Sequence, residues 1–376
     1  MNILITGGLG FIGTNLAVSL AQNAEYKICL FDNLSTQIHG TIPTIDTRLL
    51  QYSNIEMVRA DVNNLNAISE LLTKADIIVH LAAETGTAQS MYQIAHYNNV
   101  NSQATAQILD FLANNPHHVK KIVLASSRSI YGEGAYHCES HGHVYPSART
   151  ADQLLKQQWD PVCPICQSKI RPVATPESAR PSPASIYAAT KYAQEDLIRI
   201  AGDSLGIGTA ILRFQNVYGA GQSLNNPYTG ILSIFSTRIR RGMSLPIFED
   251  GAESRDFVHV SDIVQAITLA IENDSANGHT FNVGAGEPTS VLEIANILVN
   301  AFDGKVKPHV TGQYRLGDIR HCYADLSLIK AKLGFEPKVS LTQGIEEFAS
   351  WVLSQPLPED GLDKANEELK KRKMMS

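Results

Sequence analysis

Apolar and polar positions in the first third of the chain alternate between two spacings. Asn2-Ile3-Leu4-Ile5-Thr6, Lys27 to Phe31, Ile55 to Ala60, Ala75 to Leu81 and Lys121 to Ser126 are short apolar-rich runs, as for strands covered on both faces. Between them Thr14 to Gln22, Ala67 to Leu72 and Asn98 to Asn114 carry apolar residues at helical spacing. This alternation predicts an α/β fold with a doubly wound parallel sheet. After Arg213 the pattern loosens into a short strand and turn at Pro246 to Gly251 and helices at Val260 to Ile271, Ser290 to Ala301 and Leu341 to Val352; Asn225 to Phe235 reads as a loop and helix. The expected division is a first domain over 1–212, interrupted at about 133–180 and rejoined by 258–283. A smaller interleaved domain takes 213–257 and 284–355, and 356–376 is a charged tail, a frayed helix at most.

Composition narrows the class without choosing an activity. The 376 residues suffice for one large domain or two modest ones, and 18% charged residues is ordinary for a soluble protein. A net charge of −6 argues against a nucleic-acid surface. No apolar run is long enough to span a bilayer, the nearest being Ile77 to Ala83. With the first strand starting at Asn2 there is no room for a signal peptide, and a cytoplasmic protein is expected.

Gly7-Gly8-Leu9-Gly10-Phe11-Ile12-Gly13 ends the first strand and opens the first helix. Glycines 7, 10 and 13 allow a tight turn, close approach of a pyrophosphate and close packing of helix on strand, the Rossmann arrangement for a dinucleotide. The second strand ends at Asp32, placed for ribose hydroxyls, and no arginine follows within Asn33 to Thr36, so NAD is expected rather than NADP. Phe11, Ile12, Asn33, Asp61, Val62, Leu81, Ala82, Ala83 and Asn98 complete the expected cofactor contacts. His80 reads as a core histidine. In Ser185-Ile186-Tyr187-Ala188-Ala189-Thr190-Lys191, Tyr187 and Lys191 fall on one helix face, one turn apart. An ammonium beside a phenol favours the phenolate, so Tyr187 is a candidate general base. Ser127, at the end of the fifth strand, could hydrogen-bond the same substrate oxygen.

With these motifs in order, residues 1 to about 350 resemble the extended short-chain dehydrogenase/reductases, and among them the nucleotide-sugar epimerases. The resemblance implies Ser127, Tyr187 and Lys191 as catalytic residues, with Tyr187 and Lys191 also meeting NAD. It implies a nucleotide-diphosphate sugar bound by Asn216, by Arg255 in Arg255-Asp256-Phe257-Val258-His259-Val260, and by Arg315 with Asp318. Phe248 is a candidate for stacking near the base. It also implies a homodimer through helices near 98–114 and 185–203. Sugar-nucleotide dehydratases of this kind carry Asp-Glu after the catalytic Thr; here Arg128-Ser129 follows Ser127, which argues for reversible oxidation at C4 instead.

The interruption contains Cys138-Glu139-Ser140-His141 and Cys163-Pro164-Ile165-Cys166, three of the chain's five cysteines. Cys138, His141, Cys163 and Cys166 form a zinc-ribbon-like set for a structural zinc; His137 and His143 compete for the histidine place, and free thiols are the alternative. Cys29 and Cys322 read as isolated buried thiols. The insert, Asn226-Pro227-Tyr228-Thr229-Gly230 and Gly317 to Cys322 look like the dTDP-L-rhamnose 4-epimerase group. That similarity implies conversion of dTDP-L-rhamnose to dTDP-6-deoxy-L-talose. A UDP-hexose 4-epimerase, a 4-ketosugar reductase and a non-enzymatic NAD-binding regulator are the alternatives.

Overall fold

The computed structural model describes residues 1–224, 226 and 230–376. Seven strands, β1 (Asn2–Thr6), β2 (Lys27–Asp32), β3 (Ile55–Arg59), β4 (Ile77–His80), β5 (Lys121–Ser127), β6 (Gly208–Phe214) and β7 (His279–Val283), form one sheet. Their order is β7-β6-β5-β4-β1-β2-β3 and every pair is parallel. The chain runs outward from β1 through β2 and β3, then crosses to β4 on the other side of β1. Loops leaving β1 and β4 therefore diverge, and this switch point opens a crevice at the carboxyl ends of the strands. Thr6 and His80 are partners in register, so Gly7 and Leu81 leave the sheet side by side.

Both faces are covered, as the unbroken apolar strands require. Helices Phe11–Leu20 and Val260–Glu272 cover one face with Leu16, Ala17, Ile263 and Ile267. On the other face lie Leu65–Lys74, Ala104–Asn114 and Ile186–Leu205, contributing Ile68, Leu72, Ile108, Leu112 and Ile198. A third core joins helices Ile231–Arg240, Val291–Ala301 and Leu341–Ser354 around Phe235, Leu298 and Phe348. Ser290 and Ser340, read from sequence as helix starts or their neighbours, cap the last two helices by accepting the N–H groups of Glu293 and Gln343.

Residues 133–180 add a small antiparallel sheet of Tyr136–Cys138, Gly142–Val144 and Arg171–Pro172. Its apolar core is Tyr136, Cys138, Val144 and Cys163 with Ile170 packed alongside. A core of that size needs further fastening. Part of it is ionic: Arg149 bonds to Glu133 and Glu249, and Arg320 to Asp160, Asp250 and Glu249.

Two expectations change. Asn98 to Asn114 does not run as one regular helix: Asn98–Gln103 is a wide π-type turn leading into Ala104–Asn114. The wider turn rotates the face that later residues present. Glu359 to Ser376, expected as a frayed helix or tail, contains the helix Leu362–Lys371, which is docked. Its Leu362, Ala365 and Leu369 lie three and four apart and are buried, a narrow apolar stripe hidden in a charged segment. Arg238 pairs with Asp360 and Asp363, while Leu316 N–H donates to the Met374 carbonyl (2.9 Å) and Ser376 N–H to the Tyr314 carbonyl (3.1 Å). The helix expected within Asn225 to Phe235 begins at Ile231; positions 225 and 227–229, which include most of the 226–230 motif, lie outside the described residues.

Candidate active site

A groove of about 830 Å³ crosses the carboxyl ends of the strands. Its floor is backbone. Gly7 has φ +69°, and a Cβ there would sit 2.8 Å from Ala82 N; one on Gly13 would sit 2.6 Å from the Gly7 carbonyl oxygen. Any side chain would fill the space that a pyrophosphate needs, so the cradle fits the dinucleotide implied by the glycine spacing. Gly10, Phe11, Ile12, Asp32, Asn33, Val62, Leu81, Ala82 and Ala83 line the groove, the start of the first helix among them. Asp32 accepts from the N–H groups of Leu9 (3.1 Å) and Leu34 (2.8 Å), which fixes its carboxylate at the groove wall.

Asp61 and Asn98 stand differently from expectation. Asp61 accepts from Asn33 Nδ2 (3.0 Å) and from Asn63, so it buttresses Asn33 while Ala60 and Val62 face the groove. Burial alone would raise Asp61; the bonds from Asn63 and Asn33 overcome it and lower its pKa. Asn98 is exposed, and Val100 is the residue of that wide turn that lines the groove. The buried asparagine of the turn is Asn101, which bonds Glu84 N–H and carbonyl and Thr190 Oγ1 (3.0 Å).

At the inner end of the groove lie Ser127, Tyr187 and Lys191. Ser185 caps their helix by accepting Ala188 N–H, and Tyr187 N–H donates to Ser90 Oγ (3.0 Å). Burial raises the Tyr187 pKa, while its hydrogen bond with Ser127 and the charge of Arg128 lower it. Arg128, not singled out from sequence, is thus a cation that acts on Tyr187, beside Lys191 one helical turn on in the same groove. Lys191 is itself brought down to about 7 by burial, against the opposing charge of Glu195. Beneath the pair, Glu195 holds Arg213 (2.7 Å) and accepts from Ser126, and Arg213 donates to Tyr131 Oη (2.8 Å). Gln215 also lines this end; it is buried, and neither atom of its amide has a partner among the described residues.

The expected substrate residues fall into two groups. Asn216 Oδ1 accepts from Arg128 Nε (2.9 Å), and Arg255 lies close enough to Arg128 to oppose its charge. Farther out, Arg315 stacks on one face of Phe248 at 4.5 Å with Asp318 3.9 Å from its Nε. One face of the expected base-stacking ring is therefore taken by a guanidinium. Both groups hang on one framework: Arg255 Nη1 donates to the Arg320 carbonyl (3.1 Å), and Arg149 Nη2 donates to the Asp318 carbonyl (2.8 Å). Arg128, Gln215 and Arg149 were not singled out as site residues from sequence. Only Arg128 left a signal, by standing where dehydratases keep an acid.

In the insert, Cys138 Sγ is 3.7 Å from Cys166 Sγ and 3.6 Å from His141 Nδ1, and Cys163 Sγ is 3.6 Å from the same nitrogen. All four ligand atoms lie within 4.8 Å of one another. His137 and His143 face each other on the neighbouring strands instead. Zinc bonded tetrahedrally to sulfur at about 2.3 Å puts two sulfurs about 3.8 Å apart, so the spacing fits such an ion.

Fold and groove together define a nicotinamide-dinucleotide enzyme of the extended short-chain dehydrogenase/reductase class. The NAD dependent epimerase/dehydratase family matches residues 3–150 and 166–284, and the chain belongs to that family. It is 38% identical over 356 residues to the dTDP-L-rhamnose 4-epimerase of Burkholderia thailandensis, covering 94% of this chain and 95% of that one. Among solved structures it is similar to the UDP-glucuronic acid 4-epimerase of Bacillus cereus, in complex with UDP-glucuronic acid and NAD (25% identity, TM-score 0.77). It is also similar to the UDP-glucose 4-epimerase of Thermotoga maritima with UDP-glucose (27% identity, TM-score 0.76); each alignment covers 94% of this chain and 99% of the other. Among the described residues no helix is long and apolar enough to cross a membrane.

Proposed function

We propose that this enzyme is an isomerase, an NAD-dependent nucleotide-sugar 4-epimerase, and that its substrate is dTDP-L-rhamnose with dTDP-6-deoxy-L-talose as product. The observation that carries the reading is the meeting of Ser127, Tyr187 and Lys191 in the dinucleotide groove, with Arg128 following Ser127 where an eliminating enzyme needs an acid. Bound NAD, cradled by Gly7, Gly10 and Gly13 with Asp32 at its ribose, supplies a place for the C4 hydride to go and return from. Tyr187 takes the C4 hydroxyl proton, with Ser127 holding the oxygen, and gives it back after the sugar has turned over. Lys191, one helical turn on in the same groove, assists Tyr187. Asn216, Arg255 and Arg315 hold the diphosphate while the 4-keto sugar rotates about its phosphate linkage. The choice of sugar and base rests on the 38% identity to the Burkholderia enzyme.

Proton NMR of the purified protein with dTDP-L-rhamnose, and separately with UDP-glucose, without added cofactor tests this. Appearance of the C4 epimer of the first supports reaction and substrate together. Conversion of UDP-glucose alone keeps the reaction and discards the substrate; a requirement for stoichiometric NADH with a 4-keto sugar would replace the epimerase by a reductase. The reading includes a structural zinc at Cys138, His141, Cys163 and Cys166, checked by elemental analysis of the pure protein and of Cys163→Ser/Cys166→Ser. It also includes a homodimer through the helices Ala104–Asn114 and Ile186–Leu205, the second with Ile200 exposed, checked by light scattering.

A further inference from the structure

Arg128 follows Ser127 at the carboxyl end of β5 and starts a short 3-10 turn, Arg128–Tyr131. Its Nε is committed to Asn216 Oδ1, and the Cys322 thiol is near enough to act on its charge. Its Nη1 is buried and has no partner among the described residues. Asp256, the carboxylate near it, is already spoken for: Oδ1 accepts from Ala285 N–H (2.7 Å), and Oδ2 from Gly286 (3.0 Å) and Ala324 (3.1 Å). The Arg255 guanidinium nearby donates to two carbonyls, those of Ser254 (2.8 Å) and Arg320 (3.1 Å). Two guanidiniums thus stand near each other; Glu253 lies near Arg255, but the carboxylate acting on Arg128 among the described residues is Asp256, whose oxygens are already taken by backbone N–H groups. A buried guanidinium with an unmade hydrogen bond is costly unless a ligand completes it, and its planar fork suits an oxyanion.

We propose that Arg128 is a substrate-binding residue whose free Nη1 takes an anionic oxygen of the nucleotide sugar, from the diphosphate or from a carboxylate on the sugar. The inference deepens the nucleotide-sugar reading of the same site and rests on it. In this arrangement Asn216 serves twice: it aims Arg128 through Nε and leaves its own amide nitrogen for the ligand. Arg128 is also what an elimination site cannot contain, since its charge occupies the place of the acid.

The test compares wild type with Arg128→Met and Arg128→Lys, each checked for retained NAD. Calorimetry reads the affinity for dTDP and UDP; kinetics read KM and kcat for dTDP-L-rhamnose, UDP-glucose and UDP-glucuronic acid. A phosphate contact predicts that Arg128→Met weakens both free diphosphates and raises every KM by about tenfold or more, as loss of a charge-assisted bond implies. A carboxylate contact predicts the same loss for UDP-glucuronic acid alone. Arg128→Lys keeps the charge but cannot reach Asn216 and ligand with one fork, so it should fall between. If Arg128→Met does not fold, the Lys variant reads the same affinities. Unchanged affinities and KM values in a folded, NAD-loaded variant overturn the proposal. Because the calorimetry needs no turnover, binding through Arg128 without epimerisation would sink the reaction and leave the residue's role standing.

Discussion

The dinucleotide end of the site and the substrate face are built in opposite ways. Around Gly7 to Gly13 the work is done by backbone: a left-handed glycine, a helix start, and a carboxylate at Asp32 that pins the N–H groups of Leu9 and Leu34. The residues responsible are near neighbours in sequence or in strand register. On the substrate face, position is set by charged side chains from distant segments. Arg149, its side chain only 2% exposed, joins Glu133, Glu249, the Trp159 carbonyl and the Asp318 carbonyl. Arg320 adds Asp160 and Asp250. A backbone cradle tolerates no side chain but needs no partner; an ionic frame fails when one member is lost, because the others are left buried and unpaired. The two ends should therefore break separately.

The largest effect belongs to the point where they meet. Tyr187→Phe should keep NAD, since the cradle is untouched, and lower kcat by about 10²–10⁴-fold, the range for a lost general base. Near-native turnover by the NMR assay would remove Tyr187 from the mechanism. Next, Arg149→Met leaves Glu133 buried without a guanidinium and Glu249 with Arg320 alone, and should cost about 3–5 kcal/mol in denaturant unfolding. The same variant, if it still folds, should raise KM for the nucleotide sugar through the Asp318 loop while the NAD content stays as in wild type. Loss of both ligands together would show that the ends are one unit and refute the contrast. The complementary variant, Asp32→Ala, should weaken NAD by about 10–100-fold, the worth of one to two charged hydrogen bonds, with little change in affinity for free dTDP.

The same contrast explains what the sequence could disclose. Gly7, Gly10, Gly13 and Asp32 were legible because their constraint is local spacing after a strand and before a helix. Tyr187 and Lys191 were legible as a pair one helical turn apart, but their electrostatics were not: burial is the largest influence on both, and Arg128, after β5, adds a charge that acts on Tyr187. The regular helix read from Asn98 onward was not legible as it stands, because a π-type turn adds a residue that no periodicity announces. The clustering of Cys138, His141, Cys163 and Cys166 was legible as spacing, whereas Arg149 sits 100 residues from Glu249 and 169 from Asp318 and no short motif could join them.

The docked helix Leu362–Lys371 gives the smallest and most discriminating effect. Its charged sequence hid a stripe of Leu362, Ala365 and Leu369, and beyond the helix Met374 and Ser376 pair with the segment carrying Arg315. Leu369→Asp puts a carboxylate into that stripe and should undock the helix. The stability lost should be about 1–3 kcal/mol, the worth of one buried leucine side chain, because undocking a peripheral helix leaves the three cores whole. Undocking frees the Leu316 N–H, so Arg315 becomes less fixed over Phe248, and KM for the nucleotide sugar should rise by about threefold at constant kcat. NAD content should not move. A fall in NAD content with unchanged KM would place the helix in service of the cradle and reverse the assignment of this segment to the ionic, long-range half of the site.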